Sequence, residues 1–247
     1  MGRQTSTTKK PLMRRMLRFV SKLILVFIGI SLFFTLLYKF VEPPLTPLMV
    51  KRFFQQAIDD NRPLRFKRDY VDIEDISPYL INAVVAAEDG KFMEHNGFDL
   101  EQIKKSYEEN KSNTNGRIRG GSTISMQTAK NAFLPHHRTY LRKAFEAYFT
   151  VLIELMWSKE RIMEVYLNIV EFGDGIYGCE AAAQHYFGKS AKKLTRNEAA
   201  QLAVTLPSPL KRNPHKATPY FKKRTALIAR RMTKVNLSPV EKLKKGN

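Results

Sequence analysis

Ala86-Ala87-Glu88-Asp89-Gly90-Lys91-Phe92-Met93-Glu94-His95-Asn96-Gly97-Phe98-Asp99 holds the residues best suited to chemistry. Two adjacent carboxylates close an apolar segment, and a glycine follows at once. A glutamate at such a junction can be kept out of bulk water with its pKa raised, the condition a general acid or base needs. Taken alone, a Glu-Asp pair is also an ordinary solvated helix end. The surrounding elements decide between the two. Pro78 to Ala87 reads as a buried helix, with Ser77 as N-cap and Pro78 at the first helical position.

A second polar group follows in Gly120-Gly121-Ser122-Thr123-Ile124-Ser125-Met126-Gln127-Thr128-Ala129-Lys130-Asn131. Two glycines and two hydroxyl residues at a helix start make an anion-receptive terminus. Ser122 is expected to cap a helix reaching Phe133. Thr123, Gln127, Lys130 and Asn131 then share one side of it. The third group, Arg142-Lys143-Ala144-Phe145-Glu146, enters a helix from Tyr140 to Trp157 that is apolar nearly all round. Charges leading into a buried helix must be paired or functional. The fourth runs from Lys159 to Asn168, then through Gly173-Asp174-Gly175-Ile176-Tyr177-Gly178 to Lys189.

Three motif matches in the chain are rejected. Gly173-x-Gly-x-x-Gly178 has the spacing of a dinucleotide fingerprint but follows a helix, with no parallel-strand pattern around it. Ser190-x-x-Lys193 and Ser6-x-x-Lys9 lack the Lys-Thr-Gly partner of penicillin-binding sites. No Asp-x-Asp occurs, which argues against a nucleotide-sugar donor held through a metal.

The other expected elements frame these groups. Leu48 to Ile58 suits a short amphipathic helix, and residues 62–76 form the one stretch that reads as extended. Asp99 can cap a helix through Tyr107, and residues 110–119 form a polar loop. Ser158 starts a helix ending near Asn168. Thr195-x-x-Glu198 is a capping box for a helix to Leu206, stopped by Pro207. Thr218-Pro219 opens a basic helix to about Val235, and Ser238-x-x-Glu241 a short last one. The soluble part is expected to be a compact, mainly α domain.

The chain has 247 residues and a net charge of +19. Residues 1–39 carry eight Lys/Arg and no acid, and residues 210–247 carry twelve against Glu241 alone; residues 40–209 are neutral overall. The basic ends suit anionic headgroups or phosphates. Against a nucleic-acid binder stand that neutral middle and the lack of an interleaved basic-aromatic pattern. Cys179 is the single cysteine, so no intrachain disulfide can form, and five scattered histidines make a structural zinc site improbable.

Leu23 to Tyr38 is an apolar run whose helix would reach about 24 Å, lengthened by Phe19, Val20, Phe40 and Val41. No small-x-small cleavage site follows, so an uncleaved anchor is expected rather than a signal peptide. The positive excess before it puts the N-terminus in the cytoplasm. Met1-Gly2-x-x-x-Ser6 fits a myristoylation pattern but is discounted beside a full span. The expected domains are a basic tail (1–18), a transmembrane helix (19–41), a juxtamembrane linker and short helix (42–62) and a catalytic domain (63–247).

The four groups, together with Leu194-Thr195-Arg196-Asn197-Glu198-Ala199-Ala200-Gln201-Leu202 and the following Ala203-Val204-Thr205-Leu206-Pro207-Ser208-Pro209, resemble the successive motifs of the peptidoglycan glycosyltransferases. This lysozyme-like family also forms the first domain of bifunctional penicillin-binding proteins. The likeness runs from about residue 65 to 215, and Met126 stands where many members have Gln. The resemblance implies a lysozyme-like helical domain behind a single N-terminal transmembrane helix, of the monofunctional kind, in the bacterial inner membrane with its catalytic domain in the periplasm. It implies an inverting transferase that polymerises lipid II into linear glycan strands and releases undecaprenyl diphosphate. Glu88 and Glu146 would be the catalytic carboxylates. Asp89, Phe92, His95, Ser122, Thr123, Gln127, Lys130, Asn131, Arg142 and Lys143 would bind substrate. A divalent cation, Mg or Mn, would fit at the diphosphate, with no organic cofactor. The implied partners are lipid II, the nascent glycan strand, the bilayer and other cell-wall synthesis proteins, with no nucleic acid. A wall-cleaving lysozyme or lytic enzyme shares the fold but needs no diphosphate clamp. A membrane-tethered scaffold without catalytic activity is the rival of another class.

Overall fold

A computed structural model describes residues 9–60, 62–112, 120–136 and 139–233. The chain divides between Val41 and Glu42 into two compact units. The first contains α1, Lys9–Phe40, whose Met13–Phe40 stretch is long and apolar enough to cross a membrane. The helix therefore begins well before residue 19: Lys and Arg are good helix formers, and nothing in the basic segment breaks the run.

In the second unit the centre is α3, Pro78–Glu88, in which Leu80, Ile81, Ala83 and Val84 are fully buried. It is enclosed by α9, Arg196–Thr205, and α10, Pro219–Met232. A helix apolar on every side has no solvated face to lose, so burial on two flanks is its stable state. Ser77 does not cap it through its side chain. Its hydroxyl donates instead to the Leu194 carbonyl at 3.0 Å, tying the helix start to the entry of α9. The Thr195–Glu198 capping box that opens α9 is present as expected.

Beside this core, α5 (Ile124–Phe133) packs on α6 (Tyr140–Met156) and α7 (Lys159–Ile169). The N-cap of α5 is Thr123 rather than Ser122. Thr123 Oγ1 accepts from the Met126 amide at 3.2 Å and donates to the Gly97 carbonyl at 2.6 Å. This second bond explains the choice, because it joins the helix start to the loop after Glu88. That loop lies close on α6: Gly97 has φ +87°, and a side chain there would meet the Thr150 methyl. The α6 helix is less enclosed than its composition suggests, since Leu141, Val151 and Leu155 are exposed while Glu146, Phe149, Thr150 and Ile153 are buried.

The extended stretch shrinks to β1, Lys67–Arg68, followed by a 3-10 turn over Ile73–Asp75. Its partner is a hairpin absent from the sequence expectation, β2 (Glu171–Gly173) and β3 (Ile176–Tyr177), in the order β1-β3-β2. The rejected Gly-x-Gly-x-x-Gly spacing is this hairpin. Gly175 and Gly178 take φ +70° and +82°, and β1 and β3 pair in parallel over two residues. The helix that follows, α8 (Cys179–Phe187), was likewise not expected. The helix after Asp99 is longer than expected: α4 covers Leu100–Ser112, so residues 110–112 are helical. The rest of the 110–119 loop, residue 235 and the Ser238–Glu241 helix lie outside the described residues.

Ahead of these elements, α2 spans Pro47–Ile58, capped by Thr46. Leu48 and Met49 are buried, whereas Val50, Phe53, Phe54 and Ile58 are exposed. Polar side chains fasten it to the hairpin. Arg52 binds Glu171, and Gln56 donates to Asp174 at 2.8 Å.

Candidate active site

Glu88 ends α3, and its carboxylate lines a cavity with Asp89, Lys91, Gly121, Ser122 and Arg231. Gln127, from the second turn of α5, donates its amide Nε2 to Glu88 Oε2 at 2.9 Å. Behind it the Tyr166 hydroxyl, fully buried on α7, donates to Gln127 Oε1 at 3.4 Å. That contact turns the amide so that its NH2 faces the carboxylate. Burial holds the Glu88 pKa above its ordinary value. The Gln127 bond and the charges of Arg224, Lys130 and Arg212 partly oppose this. The side chain is thus a carboxylate with enhanced affinity for a proton, as a general base requires.

Asp89 builds the frame around it. Its Oδ2 accepts from the Ile124 amide at 2.9 Å, at the start of α5, and both oxygens meet His95 Nε2 at 3.0 and 3.1 Å. Phe92 is fully buried, with the Lys159 ammonium 4.7 Å from its ring centroid. Lys159 also donates to the His95 carbonyl at 2.6 Å and to Glu154 at 2.7 Å. Phe92 therefore has no surface to offer a substrate, and it acts by fixing the loop. Asp89 spends both carboxylate oxygens on His95 Nε2 and on α5, while His95 Nδ1 is buried without a partner among the described residues.

On the far side of Gln127 a bank of cations gathers. Arg142 and Lys143, on the first turn of α6, both bond to Glu146, one to each carboxylate oxygen. Lys143 also reaches the Ser122 hydroxyl at 3.3 Å, which links this cluster to the Glu88 cavity. Burial lowers the Lys130 pKa. Glu146 and Glu88 oppose the shift, and Arg142 and Lys143 add to it. Lys130 thus stands within electrostatic reach of both candidate carboxylates. With Gln127, Asn131 and Arg142 it lines a second cavity, closed by Arg52, His136, Glu171 and Pro207. Asn131 Oδ1 accepts from His136 Nε2 at 3.1 Å. Burial and the neighbouring Lys130, Lys51, Arg52 and Arg142 push the His136 pKa down to about 3, so the ring is neutral at working pH.

Glu88, Asp89, Ser122 and Thr123 thus line the first cavity and Gln127, Lys130, Asn131 and Arg142 the second, with the Gln127–Glu88 and Lys143–Ser122 bonds linking their walls and Glu146 holding Lys143. Phe92 and His95 support them from behind. Sequence reasoning missed Arg52, His136 and Glu171, and also Arg212, Arg224 and Arg231 near Glu88. Position alone gave no signal for Arg52, since Leu48 to Ile58 read as a short amphipathic helix beside the membrane and outside the groups singled out for chemistry. For the arginines of α10 the signal was the basic helix itself, which packs on α3 and α9 with Phe221, Thr225 and Ile228 buried and brings Arg231 to the edge of the cavity.

The donor set offers little to a metal held by protein alone. Both oxygens of Glu146 are already paired, and no group of three or more His, Cys, Asp or Glu side chains gathers among the described residues. A divalent ion here would have Glu146 and Glu171, each reached only by displacing the cations already paired with it.

A helical domain with a desolvated glutamate facing fixed cations defines a class: acid–base enzymes of carbohydrate chemistry adapted to a polyanionic substrate. The model of the transglycosylase family matches residues 55–233, and the chain belongs to that family. Its lysozyme-like, mainly α architecture is the one expected. Similar proteins named biosynthetic peptidoglycan transglycosylase include one from Caulobacter vibrioides, 51% identical, with 88% of this chain and 91% of the relative covered. Another, from Bacteroides thetaiotaomicron, is 46% identical over 93% and 92%. A third, from Aeromonas hydrophila, is 46% identical over 90% and 92%.

Proposed function

We propose that this protein is a peptidoglycan glycosyltransferase that polymerises lipid II into linear glycan strands. In this reading Glu88 removes the proton of the acceptor's GlcNAc 4-hydroxyl as that oxygen attacks the anomeric carbon of the lipid-linked donor. The new carbon–oxygen bond forms while the bond to the diphosphate breaks on the opposite face, so the configuration inverts. The electron pair leaves with undecaprenyl diphosphate, and Lys130, Arg142 and Lys143 offset its growing charge. Glu146 orients Arg142 and Lys143. Ser122, Thr123, Gln127 and Asn131 flank the space for sugar and phosphate oxygens.

The observation that carries this reading is the juxtaposition of Glu88, bonded to Gln127, with Lys130 one helical turn further along α5 and with Arg142 and Lys143 at the start of α6. A wall-cleaving hydrolase would have no use for that bank of charge. Arg142 and Lys143, both paired with Glu146, supply positive charge for the leaving group, and a divalent cation at Glu146 would have to displace them. The α1 helix fits a single-pass membrane anchor. We place it in the inner membrane with the N-terminus cytoplasmic and the catalytic domain periplasmic, on the strength of the positive excess ahead of the span. Exposed Val50, Phe53 and Phe54 suit contact with lipid, where the substrate's tail resides.

The test is polymerisation of lipid II by the full chain, set against digestion of finished sacculi. Consumption of lipid II alone is expected. Digestion of sacculi without lipid II turnover would overturn the reading.

A further inference from the structure

The wall of the second cavity extends beyond the family match. Leu48 and Arg52 line it, both from α2 and both ahead of residue 55, where the match begins. Arg52 borders the same space as Lys130 and Arg142. Its guanidinium is fixed: Nε donates to Glu171 Oε1 and Oε2 at 3.0 and 3.2 Å, Nη2 to Glu171 Oε2 at 3.1 Å, and Nη1 to Gln55 at 2.9 Å. These bonds leave one N–H on each terminal nitrogen. The Glu171 side chain is 3% exposed, so the guanidinium rests on a buried carboxylate, while the Arg52 side chain as a whole is 19% exposed. Lys51 adds a further tie, donating to the His136 carbonyl at 3.3 Å. A surface arginine would explore many rotamers. This one is held as a rigid fork, which suits recognition of phosphate oxygens.

We propose that Arg52 binds a phosphate oxygen of the lipid-linked substrate in the second cavity, which makes the juxtamembrane helix part of the active site rather than a spacer. The inference rests on the reading that the substrate carries a diphosphate. Glu171 serves as the positioning residue, holding the fork at the angle at which its free N–H groups meet the anion.

The experiment uses the full chain in detergent, with lipid II as substrate and inorganic pyrophosphate as competing anion. Arg52→Gln is expected to raise the KM for lipid II about tenfold with kcat within about threefold, and to weaken pyrophosphate inhibition in parallel, the loss of one charged hydrogen-bond donor. The single variant also strands Glu171, so its Tm should fall. The double variant Arg52→Gln/Glu171→Gln removes the stranded charge and should recover Tm but not KM. Recovery of both would reduce Arg52 to a clamp and overturn the proposal, as would an unchanged KM in a folded single variant. Were the unaltered chain to leave lipid II unpolymerised, the functional reading itself would fall, and this inference with it. Normal turnover by the unaltered chain with an unchanged KM in the variant would refute the inference alone.

Discussion

At position 88 the chemistry depends on one amide. Gln127 donates to the carboxylate and so lowers a pKa that burial raises. Gln127→Ala removes the donor, and the acidic limb of the pH–rate profile should move to higher pH, with the rate recovering above it. A limb that stays put would mean that the amide has no influence on Glu88. Glu88→Gln should cost about 10²–10⁴-fold in lipid II turnover, and retention of a tenth of the activity would be too much for a missing base. The same substitution should stabilise the fold. Because the folded-state pKa lies above the unfolded one, the stability that protonated Glu88 contributes is present at acid pH and is lost as pH rises through the raised value. At neutral pH the folded chain holds a desolvated charge that Gln would not carry. Thermal melts should therefore give Glu88→Gln a higher Tm at pH 7 and a smaller difference near pH 4.

The elements hold these residues through a few polar ties. The start of α5 is fixed by Asp89 and Thr123, so the helix bearing Gln127 and Lys130 is tied to the loop bearing Glu88. Asp89→Ala leaves the Ile124 amide and His95 without their partner. A loss of roughly 2 kcal/mol in denaturant unfolding is expected, with activity falling alongside. The hairpin depends on glycine in a comparable way. Gly178 has φ +82°, and a side chain would come within 2.9 Å of the Asn168 carbonyl. Gly178→Ala should destabilise by roughly 1–3 kcal/mol, measurable in the same experiment. Periodicity and capping signals in the sequence locate α3, α5, α6, α7, α9 and α10 to within a residue or two where they are described. The hairpin and the first turns of α8 escape that reading because successive residues there are buried. Glu171, Phe172, Gly173 and Ala181 to Ala183 show neither the alternation nor the stripe on which such signals rest.

For the molecule as a whole, the neutral middle and basic ends divide the labour. In the described C-terminal helix, α10, Arg224 acts on Glu88 and Arg231 borders its cavity, whereas Lys222, Lys223 and Arg230 are exposed. The anchor and the catalytic unit separate between Val41 and Glu42. A chain beginning at Glu42 should therefore fold and polymerise lipid II in detergent. On lipid II in vesicles it should fall behind the full chain by about tenfold, for want of confinement to the surface. Equal rates on vesicles would deny the anchor a part in presenting substrate.

The sequence alone singles out the stretches that hold Glu88, Lys130, Arg142 and Glu146 as candidates, because charges at helix ends and on helix faces are a local property and the stretches resemble a known family's motifs. It also determined the apolar span and the mainly helical class. Only the tertiary structure decided which of those residues share a cavity, that Phe92 supports the site from behind, and that Arg52 closes it. Those facts depend on contacts across long stretches of chain, such as Arg52 with Glu171 and Tyr166 with Gln127. Such pairings follow from how buried surfaces fit together, and no short pattern of residues encodes them.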